Sequence, residues 1–235
     1  MISEEQKLEI EKYLMSKNLP LDILFEVKDH FMTQIDCFQI EKKVSFDTAF
    51  RDTKEIWKED LKQVKYYNEK EIASFAKDIK DKNAKKKLRK AVLSTIVALA
   101  VLFSVSRLMD RSDFSEFFMY AIIIFVSVPG IFVLRYMKFY HLSFQNKKVR
   151  LNIYQGYEGL SIYFGFLFPF ITGYYSQAGD GIYQFFSGSV DEFTDIMLFT
   201  IISLSYFFTI FMQVGFIKSA KKMTNEINRL HRLKI

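Results

Sequence analysis

The segment EVKDHFMTQIDC, residues 26–37, holds more potentially reactive side chains than any other stretch of the chain. It contains His30, one of three histidines, and Cys37, the single cysteine. Glu26, Asp29 and His30 are three and four residues apart, so on a helix they share one face. Imidazole and carboxylate groups at this spacing can bind a transition metal, and a thiol near an imidazole can act as a nucleophile.

A structural role for this segment is nevertheless favoured. One histidine with two carboxylates on a short helix supplies too few ligands for a metal, and neither His141 nor His231 brings a carboxylate pair to complete the set. Glu26 can instead hold His30 by a hydrogen bond, and Cys37 on a short helix is more often a small packing residue than a nucleophile. We therefore expect no catalytic residue, no cofactor and no metal, and the chain is not expected to be an enzyme.

The elements that position these residues belong to a highly charged region, residues 1 to about 90. Its apolar residues recur at steps of three and four, which predicts three short helices within residues 3 to about 65. Ser3 and Gln6 form a capping-box pattern, and Ser45 can cap the third helix. A fourth helix is predicted to open at Asn68 and to run into the first apolar stretch as a rigid stalk. The positions expected to face inward are Ile10, Tyr13, Leu14, Leu24, Val27, Phe31, Ile35, Phe38, Ala49, Phe50, Ile56, Trp57, Leu61, Val64, Ile72, Phe75, Ala76 and Ile79.

From Ala91 onward the chain carries long apolar runs separated by short polar loops, which indicates an integral membrane protein. A membrane-spanning helix needs roughly 20 apolar residues. The third run is short by this measure, and its helix could begin earlier, near Tyr154, or be re-entrant. The four runs interpreted as spans are residues 91–109, 117–134, 160–175 and 196–217.

Lysine and arginine residues alternate between the two sides of these spans, which predicts their orientation. Basic residues are dense before the first span and after the second and fourth, whereas the loop at residues 176–194 has none. Both termini are therefore predicted to be cytoplasmic, and the number of spans to be even. Whether residues 183–186 of the outer loop enter the outer leaflet is left open.

Few charges lie inside the predicted spans. Arg135 and Glu158 are near the cytoplasmic ends of spans two and three and can pair across neighbouring helices. The favoured alternative is that both side chains snorkel separately into the headgroup region. The scattered residues Ser94, Thr95, Ser104, Ser203 and Gln213 are expected to bond to backbone or to pack helices rather than to line a pore.

The basic stretch KNAKKKLRK, residues 82–90, has two compatible interpretations. It is a topology signal, and it can also contact anionic lipid headgroups, where each basic residue contributes roughly 1 kcal/mol. The residues proposed for this contact are Lys85, Lys86, Lys87, Arg89 and Lys90. Nucleic-acid binding is not expected, because the membrane flanks account for the net charge of +6.

The N-terminal quarter resembles the small three-helix cytoplasmic domain of the DUF1700/HAAS type, also found as a permease prefix. The residues that carry the resemblance are Leu19-Pro20, Glu26, Asp29-His30-Phe31, Ile35, Ser45, Ala49 and Glu55-Ile56. Asp52-Thr53-Lys54 stands where that family usually has glycine, serine and proline. The resemblance implies an α-helical signalling or interaction module joined to transmembrane helices, commonly bacterial, without catalytic residues.

The expected fold is all-α, with a cytoplasmic three- to four-helix domain followed by a four-helix transmembrane bundle. Its predicted parts are a cytoplasmic domain (1–66), a basic juxtamembrane stalk (67–90), the transmembrane domain (91–217) and a basic cytoplasmic tail (218–235). We expect a multi-pass protein of the bacterial cytoplasmic membrane that binds a protein partner through residues 1–66 and is regulatory, signalling or an accessory subunit. The alternative is a transporter, or permease, or its membrane subunit. Partners are thus the lipid bilayer, a protein and, as an open option, a second copy of the chain.

Overall fold

The computed structural model of the chain describes residues 2–66, 69–145, 152–154, 178–188 and 193–232. The fold is 81% helical with 4% strand, which confirms the predicted helical class. The chain divides into two compact units. The first unit comprises the described parts of Met1–Asn83, Leu142–Gln155 and Lys218–Ile235, and the second those of Ala84–His141 and Gly156–Ile217.

Three helices begin the first unit, as predicted: α1 (Glu4–Met15), α2 (Leu21–Glu41) and α3 (Phe46–Ile56). The predicted capping box is confirmed, since the Ser3 hydroxyl accepts from the Gln6 N–H and the Gln6 side chain accepts from the Ser3 N–H. Ser45 caps α3 by accepting from the backbone N–H of Thr48. These local bonds satisfy N-terminal donors that have no partner inside the helix.

Aromatic rings fill the centre of the first unit. Phe31 of α2 is fully buried, with the rings of Tyr13, Phe50 and Trp57 centred 5.9, 6.4 and 5.5 Å from its own. Most of the predicted inward positions are buried or half-buried here. Ile56 is an exception, because its side chain is 56% exposed at the end of α3.

A β-hairpin replaces the predicted start of the fourth helix. Strands β1 (Gln63–Tyr66) and β2 (Glu69–Ala73) pair antiparallel, with Gln63 opposite Ala73. The prediction of a helix opening at Asn68 is therefore wrong, as is that of a third helix reaching residue 65. The physical reason is the cross-strand pairing: Val64 lies opposite Ile72 and Tyr66 opposite Glu69, so the backbone groups of this stretch bond between two strands instead of along a helix.

The continuous helix into the apolar region is confirmed from Ser74 onward. Helix α4 (Ser74–Ser106) joins the charged stretch and the first apolar run without interruption. It is followed by α5 (Arg111–Arg135), α6 (Met137–Gln145), a short helix α7 at residues 178–186, and α8 (Phe193–Arg232).

Three helices in the described part of the chain are long and apolar enough to cross a membrane: Ser74–Ser106, Arg111–Arg135 and Phe193–Lys222. They contain the second and fourth predicted spans and residues 91–106 of the first, which was predicted to reach residue 109. Only 17%, 12% and 33% of their most apolar windows is buried within the protein, so most of that apolar surface faces outward. The third predicted span, residues 160–175, lies outside the described residues.

Candidate functional site

The reactive segment on α2 forms an exposed face. Glu26, Asp29, His30, Thr33 and Cys37 are all exposed, as their helical spacing predicts. The prediction that Cys37 packs inside the domain is wrong, because it lies seven residues after His30 and so falls on the same outward face.

The neighbours of His30 do not form a recognisable chemical site. Among the described residues, no group of three or more histidine, cysteine, aspartate or glutamate side chains is placed to hold a metal ion. The predicted hydrogen bond between Glu26 and His30 is not formed. On the same face, the Thr33 hydroxyl donates to the backbone carbonyl of Asp29, 2.9 Å away. This face therefore presents a histidine and a thiol to solvent without orienting either for catalysis.

A polar junction that the sequence did not reveal is built around Asp22, in the first turn of α2. One carboxylate oxygen of Asp22 accepts the hydroxyl of Ser219 at 3.0 Å and the backbone N–H of Ile153 at 3.3 Å. The other accepts the N–H of Ile23 at 3.0 Å. We call Asp22, Ile153 and Ser219 the Asp22 junction. It joins three stretches of chain within the first unit: the N-terminal domain, residues 152–154 and the continuation of α8.

Burial raises the pKa of the Asp22 carboxyl above its usual value, although the bonds from Ser219, Ile153 and Ile23 act in the opposite direction. The pKa of the neighbouring Tyr154 hydroxyl is raised by burial and, to a lesser degree, by the charge of Asp22. A carboxylate on the first turn of a helix is favoured by the helix dipole. Two of the hydrogen bonds that Asp22 accepts come from the two other stretches, at Ile153 and Ser219.

A second buried charge in the first unit is paired. The Lys28 ammonium of α2 lies 2.5 Å from the Glu11 carboxylate of α1, and their side chains are 11% and 9% exposed. Both residues lie beside buried apolar positions, Ile10 and Val27. A charge interrupting an apolar stripe was the signal available in the sequence, but nothing in the sequence showed that the two charges meet.

The basic stretch lies on α4. Lys85, Lys86, Arg89 and Lys90 are exposed, whereas Lys87 is half-buried. Four of the five residues predicted to contact lipid headgroups are thus accessible, and the contact itself stays a prediction. Arg135, the last residue of α5, is also exposed. Its predicted partner Glu158 lies outside the described residues.

Hydroxyl groups within the apolar helices mostly bond to their own backbone. Thr95, Ser104 and Thr209 each donate to the carbonyl four residues earlier, at 2.8 to 3.0 Å, which confirms the prediction for Thr95 and Ser104. Ser203 and Gln213 of α8 are 1% exposed, and their side chains have no hydrogen-bond partner among the residues that the structure describes. A buried polar group left unsatisfied costs about 1–3 kcal/mol.

Tyr206 of α8 makes a hydrogen bond whose cause can be traced to proline. Its hydroxyl donates to the backbone carbonyl of Phe125 in α5. In an α-helix this carbonyl would accept from the N–H four residues later, but Pro129 occupies that position and has no N–H. The rings of Tyr206 and Phe125 also stack, with centroids 3.6 Å apart. Tyr206 thus satisfies a carbonyl that proline leaves without a helical partner.

An apolar cleft of about 580 Å³ lies between α4, α5 and α8 in the second unit. Leu93, Val97 and Val101 contribute from α4, while phenylalanine rings such as Phe125 and Phe207 line it from the other helices. Ser94 is the lining residue with a side-chain hydroxyl. Sequence analysis did not predict this cleft, because it depends on how three separate helices pack.

At residues 178–188, helix α7 is tied to the start of α5. Arg111 binds the Asp180 carboxylate at 2.9 Å, and the Ser115 hydroxyl donates to the same carboxylate. These bonds, that from Ser115 first and that from Arg111 next, lower the pKa of Asp180. Close approach is helped by Gly179, since a Cβ there would lie 3.2 Å from the Ser115 Cα. We call Arg111, Ser115 and Asp180 the Asp180 bridge.

Comparison of the chain with protein-family models, with curated proteins and with solved structures found no match. The resemblance of the N-terminal quarter to the DUF1700/HAAS type therefore stays a prediction. The functional argument depends on the geometry described above.

Proposed function

We propose that this chain is a multi-pass protein of the bacterial cytoplasmic membrane whose N-terminal helical domain is a cytoplasmic protein-interaction module. In this role it is a regulatory, signalling or accessory subunit. The observation that carries the proposal is the Asp22 junction. Through it the N-terminal domain bonds directly to Ile153, which follows α5 and α6 in the chain, and to Ser219, which lies within α8.

The way in which the first unit is assembled from three segments of the chain supports a location of all three on the same side of the membrane. The described parts of residues 1–83, 142–155 and 218–235 form one compact unit. These three stretches adjoin the basic flanks that predict a cytoplasmic location. An even number of crossings brings all three to one side of the bilayer, whereas an odd number would separate the first from the last.

The continuity of α4 supports coupling between the domain and the membrane. Its first turns pack in the first unit through Ala76, and its last turns pack in the second through Leu102. A partner that moves the N-terminal domain would therefore act on a helix that continues into the membrane. Two exposed apolar side chains, Ile40 at 75% and Ile56 at 56%, offer contact surface for such a partner.

The test is affinity purification of the full-length chain in mild detergent, followed by mass spectrometry. The variant Ile40→Asp alters the exposed face of α2, and Leu8→Asp, at a residue 47% exposed on α1, is its matched control. A partner lost with Ile40→Asp but kept with Leu8→Asp supports the proposal. A partner that remains bound to a chain lacking residues 1–80 places the function in the membrane helices instead.

A second candidate, a transporter or its membrane subunit, is favoured by one specific observation. Gln213 is a buried amide within an apolar helix, and in the described part of the chain its donor and acceptor atoms have no hydrogen-bond partner. Polar groups retained inside a membrane at a cost in stability often mark a substrate path. Solute flux in proteoliposomes that falls with Gln213→Leu, but not with the backbone-bonded control Ser104→Ala, would support this candidate over an interaction module.

A further inference from the structure

The apolar cleft and part of the basic stretch share one face of α4. Leu93, Val97 and Val101 line the cleft at intervals of four residues. Continuing that pattern toward the N-terminus, at steps of three and four residues, reaches Lys90 and then Lys86. Both lysines are exposed, and neither is ion-paired in the described part of the chain. The face therefore changes from apolar to doubly cationic within about two helical turns.

The cleft has the dimensions and lining of a site for a hydrocarbon chain. Its α4 wall runs from Leu93 to Leu102, which is roughly 14 Å at 1.5 Å per residue. This length is close to half of the roughly 30 Å hydrocarbon core of a bilayer, and thus to one leaflet. Leu93, Val97 and Val101 are 63%, 54% and 50% exposed, so the cleft opens onto surface that lipid would cover.

We propose that the cleft holds an acyl chain of an anionic phospholipid from the cytoplasmic leaflet, with the lipid phosphate bound by Lys86 and Lys90. The two ammonium groups supply the charge complementarity, since each can donate hydrogen bonds to phosphate oxygens. Apart from the Ser94 hydroxyl, the side chains that line the cleft are apolar, so they can accept a hydrocarbon chain. The proposal requires the membrane orientation given above but is independent of any protein partner.

Lys85 and Arg89 provide a matched control within the same stretch. They are also exposed, but the helical repeat places them more than 90° from the centre of the face that carries the cleft. The variants Lys86→Gln/Lys90→Gln and Lys85→Gln/Arg89→Gln remove equal charge. A general attraction to a negative surface would weaken equally in both, whereas a defined headgroup site would weaken only in the first.

The experiment is native mass spectrometry of the full-length chain, titrated with phosphatidylglycerol and, separately, with phosphatidylcholine. We expect preferential retention of phosphatidylglycerol, weakened roughly fivefold per lysine removed in Lys86→Gln/Lys90→Gln and little changed in the control pair. Equal weakening in both pairs, or equal retention of the two lipids, would overturn the proposal. Free glycerol phosphate in place of the lipid should bind far more weakly, because it has no acyl chain for the cleft.

A photo-crosslinking residue placed at Ala98, which lines the cleft, identifies the occupant directly. An adduct with phospholipid in membranes is the expected product. An adduct with residues 155–177 of the same chain, or with a second copy, would refute a lipid site. Membrane extraction of the same sample by alkali separates the two possible failures: a chain that is not inserted refutes the proposed membrane location, whereas an inserted chain without a lipid adduct refutes only the lipid site.

Discussion

The first unit buries charged groups in contacts between distant parts of the chain, whereas the apolar helices of the second unit bond most hydroxyls locally. Glu11 pairs with Lys28 across two helices, and Asp22 accepts from Ser219, which is 197 residues away. Thr95 and Ser104 instead donate to carbonyls four residues earlier in their own helix. Tyr206 is different, because its hydroxyl donates to a carbonyl of another helix, that of Phe125, to which Pro129 cannot donate.

The difference shows which groups specify tertiary arrangement in each unit. In the first unit, polar contacts fix which helices meet, because an unpaired buried charge is costly. In the second unit the local bonds leave helix packing to apolar surfaces, notably phenylalanine rings such as Phe118 and Phe199, centred 5.7 Å apart. Breaking the buried pairing of Lys28 with Glu11 in the first unit should therefore cost more stability than removing the Tyr206 hydroxyl in the second.

The largest effect is expected from Lys28→Met. This change removes the Lys28 ammonium from its buried pairing with the Glu11 carboxylate, and breaking a buried pair in this way costs about 3–5 kcal/mol. The free energy of unfolding of the first unit, measured by denaturant titration of the full chain in detergent with the Trp57 fluorescence as probe, reports the loss.

Two controls show whether the buried pairing is the cause. The exposed pair between Lys7 and Glu4 should tolerate Lys7→Met with a loss below about 1 kcal/mol. The double variant Glu11→Leu/Lys28→Met should recover much of the stability, because it removes both charges. A double variant less stable than Lys28→Met alone would contradict this account.

A smaller loss, about 1–3 kcal/mol, is expected from Tyr206→Phe in the second unit. The substitution keeps the ring that stacks on Phe125 but removes the hydroxyl, which leaves the Phe125 carbonyl without a donor. Thermal stability of the full chain in detergent measures the effect.

The second substitution, Pro129→Ala, provides a direct check on Tyr206→Phe. Alanine restores the N–H that can bond to the Phe125 carbonyl within α5, so the hydroxyl of Tyr206 becomes redundant. Tyr206→Phe should then cost little in the Pro129→Ala background. An equal cost in both backgrounds would show that the hydroxyl acts through some other contact.

Features set by nearby residues could be predicted from the sequence. The caps at Ser3 and Ser45 depend on residues three positions away, and the inward face of α2 depends on a repeat of three and four. The hairpin was missed because residues 69–73 have several charged side chains and the pattern of Ile72 with Phe75 and Ala76 also fits a helix. Pairing with β1 decides between the two structures, and this pairing is tertiary information.

The candidate sites were harder to predict for the same reason. Asp22 and Ser219 are ordinary residues in their own segments, and only folding brings them together. The cleft likewise requires three helices. The sequence did place Lys86 and Lys90 correctly as accessible residues of α4, because the helical stalk and its basic composition are local properties.

The Asp180 bridge should contribute modestly because its partners are half exposed, at 53% for the Arg111 side chain and 48% for that of Asp180. We expect Arg111→Gln to lower stability by less than about 1 kcal/mol, and high salt to reduce the difference from the unmodified chain. Thermal unfolding at two salt concentrations measures this. A loss comparable with that of Lys28→Met would mean that the bridge, and not ring packing alone, holds α7 in place.

The smallest change is expected from Asp22→Asn, and its signature is the dependence on pH. Below the unfolded-state pKa, near the ordinary aspartate value of 3.8, Asp22 is protonated in both folded and unfolded chains, so pH should affect the stabilities of the two proteins similarly. As pH rises from there toward the raised folded-state pKa, the unfolded chain ionises first, so the unmodified protein loses stability relative to Asp22→Asn. Above the folded-state pKa the difference becomes constant.

The measurement is the difference in Tm between the two full-length proteins across this pH range, with Asp29→Asn at an exposed position of α2 as control. Ser219→Ala provides a second test. It removes a hydrogen bond that lowers the Asp22 pKa, so the folded-state pKa should rise further and the loss of stability should continue to a higher pH. If instead the Tm of the unmodified protein rose relative to that of Asp22→Asn as pH increased, the hydrogen bonds to Asp22 would outweigh its burial. The Asp22 junction would then stabilise the ionised form of Asp22.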